Sequence, residues 1–401
     1  MNLTITSSLL GNLHCSRCGI VHDPCGRKTL STCCQAPLLC QYVLDVGSVL
    51  LSDLQARPKS MWRYEELLPV IQPQNQVSLG EGYTPILTLN RLASRYNLNH
   101  ITLKDEGLNP TGSFKARGLC MAISKAKENG ERACIIPTAG NAGVAMAAYC
   151  ARAGLEAVVV MPRHTPDAFK EECIGYGAQL IEVDGLINDC VAKVQEINQY
   201  DAYFDVSTLK EPYRLEGKKT MGFEIAEQLN WQLPDVIMYP TGGGTGLIGI
   251  WKAFHEMKAL GWLPGNVALP RMVAVQAEQC APIVASWQGE QVNSKQYVGR
   301  PTVANGLAVP RPIGEPLILN TLLESSGTAI SVSEDDMLEG VSELCRHEGV
   351  FVAPEGGAIW AATKKLLRLG WLRPDDHILL LNTGSGQKYL DNIKGKWERS
   401  L

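Results

Sequence analysis

The chain has no run of basic residues and no excess of positive charge: 37 Lys and Arg stand against 41 Asp and Glu, a formal net charge of -4. That balance excludes a broad electrostatic surface for nucleic acid or for an anionic membrane, so small anionic ligands must be met by local sites. An apolar stretch of the roughly 20 residues needed to cross a bilayer is also missing. The segment Met1–Leu10 lacks the basic region of a secretory signal, so a cytoplasmic location is the expectation. No internal repeat or low-complexity segment interrupts the 401 residues. With 45% hydrophobic residues, the composition fits a large buried core divided into two lobes or more.

Cysteine is not scarce, but it is uneven. Of the 13 cysteines, Cys15, Cys18, Cys25, Cys33, Cys34 and Cys40 fall at the amino-terminal end. An odd total in a long chain argues for reduced thiols rather than a disulfide framework. Cys15 and Cys18 form a CxxC knuckle before Gly19, and Cys33 and Cys34 follow at a distance that can close a small zinc ribbon. A regular ribbon has a second CxxC or CxC, which adjacent cysteines imitate poorly. Two readings therefore stand: a structural zinc on Cys15, Cys18, Cys33 and Cys34, or a ribbon shape without metal. The expected division is a head over residues 1–45 and a catalytic body over residues 46–401.

After the cysteine-rich stretch, a strand at Tyr42–Asp45 and a helical patch at Met61–Leu68 read as a lead-in to the body. Beyond Leu79, short β-branched runs alternate with longer amphipathic stretches. The strands include Ile101–Leu103, Ala133–Ile136, Ala157–Met161, Gln179–Val183, Val236–Tyr239, Met272–Val275 and His377–Leu381. Helices are expected between them, from Ala116, Ala142, Asp189, Glu216 and Leu247. This alternation predicts an α/β fold with a parallel sheet covered on both faces, and places the site at the carboxyl ends of strands.

Four loops carry the chemistry. Asn109-Pro-Thr-Gly-Ser-Phe-Lys115 sets one lysine at the start of a helix. A lysine amine becomes a nucleophile only when burial or neighbouring cations lower its pKa, and its chief use is a Schiff base with a carbonyl. After Val236–Tyr239, the loop Pro240-Thr-Gly-Gly-Gly-Thr-Gly246 leads into a helix. Glycines there let backbone N–H groups approach a phosphate without any lysine. The loop has no Walker Gly-Lys-Ser/Thr ending and no dinucleotide spacing. A third loop, Thr138, Ala139, Gly140, Asn141 and Ala142, offers an amide for a ring oxygen and a turn of N–H groups for a substrate carboxylate. In the fourth, Asn382-Thr-Gly-Ser-Gly386, Thr383 or Ser385 can set a hydroxyl against a ring nitrogen.

Together, Gly107–Gly118, Thr138–Gly143, Pro240–Gly246 and Asn382–Gly386 resemble the cofactor loops of fold-type II pyridoxal 5'-phosphate (PLP) enzymes, and the threonine synthase family most of all. Ser78–Pro85, Lys104-Asp-Glu106 and the cysteine-bearing head support that resemblance, which spans nearly the whole chain. It implies a two-lobed body with PLP in the cleft, a smaller mobile lobe at about residues 113–205, and a homodimer. By the same resemblance, Lys115 takes the PLP aldehyde and Asn141 bonds its phenolic oxygen. Gly242, Gly243, Gly244, Thr245 and Gly246 cradle its phosphate, and Thr383 faces its pyridine nitrogen. Ser113, Thr138, Ala139, Gly140 and Ala142 are the candidates for substrate contact, while Arg117 and Lys104 are expected to be structural. The activity implied is a lyase turning O-phospho-L-homoserine and water into L-threonine and phosphate. The alternative is a β-eliminating or β-replacing enzyme, such as a serine/threonine dehydratase or a cysteine- or cysteate-synthase-like enzyme. One departure concerns substrate: threonine synthases usually have Asp after the lysine, where this chain has Ala116.

Overall fold

The computed structural model describes residues 8–289 and 297–393; residues 1–7, most of the Met1–Leu10 segment discussed above, lie outside it. Strands β1 (Leu10–Cys15), β2 (Val21–His22) and β3 (Leu38–Tyr42) make a small antiparallel sheet in the order β2-β1-β3. Next come β4 (Ile86–Thr88) and β5 (His100–Asp105). The run β6 (Ala133–Pro137), β7 (Glu156–Pro162), β8 (Gln179–Val183) and β9 (Phe204–Asp205) builds a parallel sheet ordered β8-β7-β6-β9. Then β10 (Val236–Pro240), β11 (Arg271–Ala277), β12 (Thr328–Val332) and β13 (His377–Asn382) join β4 and β5 in a larger sheet, order β12-β11-β10-β13-β5-β4. All its neighbours are parallel except β4 against β5.

The central strands are apolar throughout because both faces are covered. Val236 and Met238 of β10 pack into one core while Ile237 and Tyr239 pack into another, and β13 divides Ile378 and Leu380 from Leu379 and Leu381 in the same way. A fully buried ionic knot joins β5 to the helices Lys115–Glu128 and Tyr213–Gln228. Arg117 Nε donates to Glu106 Oε2 and Nη1 to Glu224 Oε1, each at 2.6 Å, while Lys104 Nζ reaches Glu224 at 2.9 Å. Burial alone would raise the Glu224 carboxyl, but Arg117 and Lys104 hold it down to about 2. Arg117 and Lys104 thus take the structural part expected of them: Arg117 ties the helix Lys115–Glu128, and Lys104 the strand β5, to the helix Tyr213–Gln228.

One local expectation needs correction. Of the strand expected at Tyr42–Asp45 only Tyr42 is in a strand, as the last residue of β3: Leu38, Cys40 and Tyr42 alternate inward, and β3 pairs with β1 instead of leading into the body. The helical patch expected at Met61–Leu68 is a 3-10 helix over Met61–Leu67, kinked at Tyr64 (φ -105°). The sequence reading also passed over β12 and the helices Glu315–Glu324, Glu334–Glu348 and Pro354–Arg368. No helix among the described residues is long and apolar enough to cross a membrane.

Candidate active site

The four loops meet in one cavity of about 360 Å³ at the carboxyl ends of the parallel strands. Phe114, Lys115, Thr138, Ala139, Gly140, Asn141, Ala142, Gly242, Gly243, Gly244, Thr245 and Thr383 all line it. Lys115 opens its helix. The turn before it is stitched to the loop after β13, with Phe114 N–H donating to Thr383 O at 3.1 Å and Ser385 N–H to Gly112 O at 2.9 Å. As a residue Lys115 is only half-buried, since its stem forms part of the cleft wall. Its amine lies 4.2 Å from the centre of the Phe114 ring. Burial, helped by the nearby Arg214 cation and opposed by Glu355, lowers its pKa to about 8.

Opposite stands the glycine loop. Gly244 has φ +73°, and a Cβ on Gly242 would come within 2.3 Å of Gly306 O, so both positions exclude larger residues. The helix Thr245–Ala259 begins at once, leaving N–H groups of its first turn free to meet an anion. Gly246, although expected in the cradle, does not line the cavity: a Cβ there would lie 1.9 Å from Tyr239 OH, so its smallness serves the strand-helix join. Ser113 is likewise fully buried outside the cavity lining, bridged through its backbone to Gly384, and its hydroxyl has no partner.

Asn141 starts the helix Asn141–Ala153 after Gly140, whose φ of +144° only glycine adopts easily. Its amide nitrogen donates to Tyr389 OH at 3.2 Å, and Tyr389 OH donates to Glu355 Oε1 at the same distance. Asn141 Oδ1 and Glu355 Oε2 are buried without partners. Burial raises the Glu355 carboxyl, though its hydrogen bonds oppose this. Tyr389 and Glu355 were invisible to motif reading because they lie far along the chain, outside any glycine loop.

The sequence reading also missed Arg214 and Lys218, which stand one helical turn apart on the helix Tyr213–Gln228 and line the cavity. Both are fully buried. Arg214 Nη1 donates to Val206 O, while its Nε has no partner. The cavity therefore holds what an anionic aldehyde cofactor requires: a low-pKa amine, a helix start flanked by glycines, unpaired polar atoms and two buried cations that form no ion pair among the described residues. These features fit PLP.

At the amino-terminal head, the thiols of Cys15, Cys18, Cys33 and Cys34 all lie within 4.8 Å of one another. The segment between β2 and β3 brings the adjacent Cys33 and Cys34 to the knuckle.

A two-sheet α/β body in which a lysine of lowered pKa shares one cavity with a glycine-rich helix start defines a PLP-type enzyme. The family of pyridoxal-phosphate dependent enzymes matches residues 77–384. Threonine synthase of Methanocaldococcus jannaschii is 32% identical over 379 residues, 93% of this chain and 92% of that protein. Threonine synthase of Halalkalibacterium halodurans is 34% identical over 339 residues, 82% of this chain and 90% of that one. Solved structures share the fold at lower identity. Diaminopropionate ammonia lyase from Escherichia coli has a TM-score of 0.65 at 20% identity, covering 80% of this chain and 90% of its own. Maize serine racemase has a TM-score of 0.64 at 19% identity, covering 79% and 92%. The chain belongs to the fold-type II PLP-dependent enzymes, within the threonine synthase family.

Proposed function

We propose that this chain is a PLP-dependent lyase that converts O-phospho-L-homoserine and water to L-threonine and phosphate. The observation that carries the reading is Lys115, whose buried amine shares one cavity with the glycine loop Gly242–Thr245. When bound, PLP supplies an electron sink that makes carbons near the substrate nitrogen acidic. Lys115 would take protons from the α and β carbons and return them to the α and γ carbons, as phosphate leaves the γ carbon and water adds at the β carbon; with a pKa near 8, one amine can act as base and then acid. Gly242, Gly243, Gly244 and Thr245 hold the cofactor phosphate. Asn141, steadied by Tyr389, addresses the ring oxygen, and Thr383 sets an uncharged hydroxyl at the ring nitrogen. That neutral partner suits elimination and replacement better than transamination.

The turn Thr138–Ala142 receives the substrate carboxylate. Arg214 is the natural partner for the substrate's phosphate, as a buried guanidinium that lines the cavity and makes no ion pair among the described residues. Residues 113–205 form the smaller lobe, whose closure excludes water from the reacting carbons. In the head, Cys15, Cys18, Cys33 and Cys34 bind a structural zinc as thiolates. By likeness to its family we place the enzyme in the cytoplasm as a homodimer.

The test is to supply PLP-loaded protein with O-phospho-L-homoserine and measure phosphate and L-threonine, beside L-serine and L-threonine assayed for ammonia and oxo acid. Equal amounts of phosphate and threonine are expected, with turnover lost in Lys115→Ala. Ammonia from the second pair, without phosphate from the first, would replace this reading by a dehydratase.

A further inference from the structure

Lys104, Lys125, Lys218 and Lys219 are the fully buried lysines among the described residues. Three of them have a carboxylate at hand: Lys104 meets Glu224 at 2.9 Å, Lys125 meets Glu128 at 2.5 Å, and Lys219 meets Glu216 at 2.6 Å. Lys218 has none within ion-pair distance. Its Nζ donates to Thr245 Oγ1, and it lies 5.0 Å from the centre of the Phe114 ring. Room for its stem comes from Gly118 on the neighbouring helix, where a Cβ would stand 3.0 Å from Lys218 Cε. The charges around it are Arg214 and Lys115, which repel it, and Glu211, which does not offset them. A buried ammonium in such company is costly unless an anion completes it.

Thr245 identifies the anion, because it is the first residue of the helix that follows the glycine loop and the one described hydrogen-bond partner of Lys218. We infer that Lys218, acting with Thr245, is a charged ligand for the cofactor's phosphate, so that this loop does not bind the phosphate through backbone N–H groups alone. The inference rests on the cofactor reading of the cleft and not on which amino acid is turned over. It makes Lys218 a binding residue: its positive charge answers the phosphate dianion, while the aldehyde end is left to Lys115.

The test compares apo-protein binding of PLP with binding of pyridoxal, which lacks the phosphate, by absorbance titration of wild type, Lys218→Met and Lys218→Arg. Loss of a charge-assisted hydrogen bond should weaken PLP about tenfold to a hundredfold in Lys218→Met. Pyridoxal should stay within about twofold, since only the contact to the phosphate is removed. Lys218→Arg should recover part of the loss, and Lys218→Met should fold as stably as wild type, since an unpaired buried charge has gone. Equal weakening of PLP and pyridoxal, an unfolded Lys218→Met protein, or unchanged PLP binding with a raised KM for a phosphorylated substrate would each overturn the inference. A wild-type protein that binds neither compound would overturn the cofactor reading along with it.

Discussion

Lys115 and Arg214 sit on different helices, yet the pKa of the first is set partly by the charge of the second. Capture of an aldehyde needs the free amine, so the rate at which apo-protein takes up PLP should rise with pH and level off above about 8. Arg214→Met removes a cation that favours the free amine; the midpoint should then move up toward the ordinary lysine value of 10.5, which stopped-flow absorbance across a pH series would show. A midpoint that stays put would mean that burial alone sets the amine's acidity. The sign for stability follows from the same shift. Between about 8 and 10.5 the unfolded chain binds a proton that the folded amine does not, so the apo-protein should gain stability as pH rises through that window. Urea melts at both ends of the window would reveal it.

The cofactor loops were legible because each is a glycine turn between an apolar strand and a helix, a local pattern that needs no knowledge of the rest. What the sequence hid depends on contacts between distant segments. Arg214 and Lys218 lie in a helix where Glu216, Lys219 and Glu224 are equally buried, and only the fold reveals which are paired. Reading β12 failed because Thr328–Val332 is short and half polar, and the helices Glu334–Glu348 and Pro354–Arg368 lie outside the strand-loop pattern that guided the rest. Ser113 and Gly246, named in the site by their motifs, lie outside the residues that line the cavity. One contact sensitive to a single change is the crossing of Lys115–Glu128 against Tyr213–Gln228. A Cβ on Gly217 would stand 2.0 Å from Arg117 O, so Gly217→Ala must push the helices apart and strain the Arg117–Glu224 pair. A loss of about 1–3 kcal/mol in urea denaturation is expected, as for other overpacked cores. Unchanged stability would show that the crossing tolerates displacement.

At the scale of the whole molecule, the amino-terminal head touches both parts of the body. Tyr42 OH donates to Glu216 Oε2 at 3.0 Å and Lys252 Nζ to Cys40 O at 2.6 Å, which fix β3 to the helices behind the large sheet. On the other side Arg27 Nε donates to Glu131 Oε1 at 2.7 Å and Nη1 to Asp201 O at 2.7 Å, beside the small sheet. Arg27 lies in the segment between Cys18 and Cys33, whose course depends on how the four thiols are gathered. If zinc holds them, a strong chelator should free that segment and release its grip near Glu131 and Asp201. Hydrogen exchange should then quicken at two separated places, the strands of the head and the turns at 129–131 and 198–203. Arg27→Ala should quicken only the second. Because a half-exposed ion pair contributes about 0.2–1 kcal/mol, turnover in that variant should change by no more than a few fold. Faster exchange confined to residues 10–42 after metal removal would mean that the head folds by itself and does not brace the small sheet.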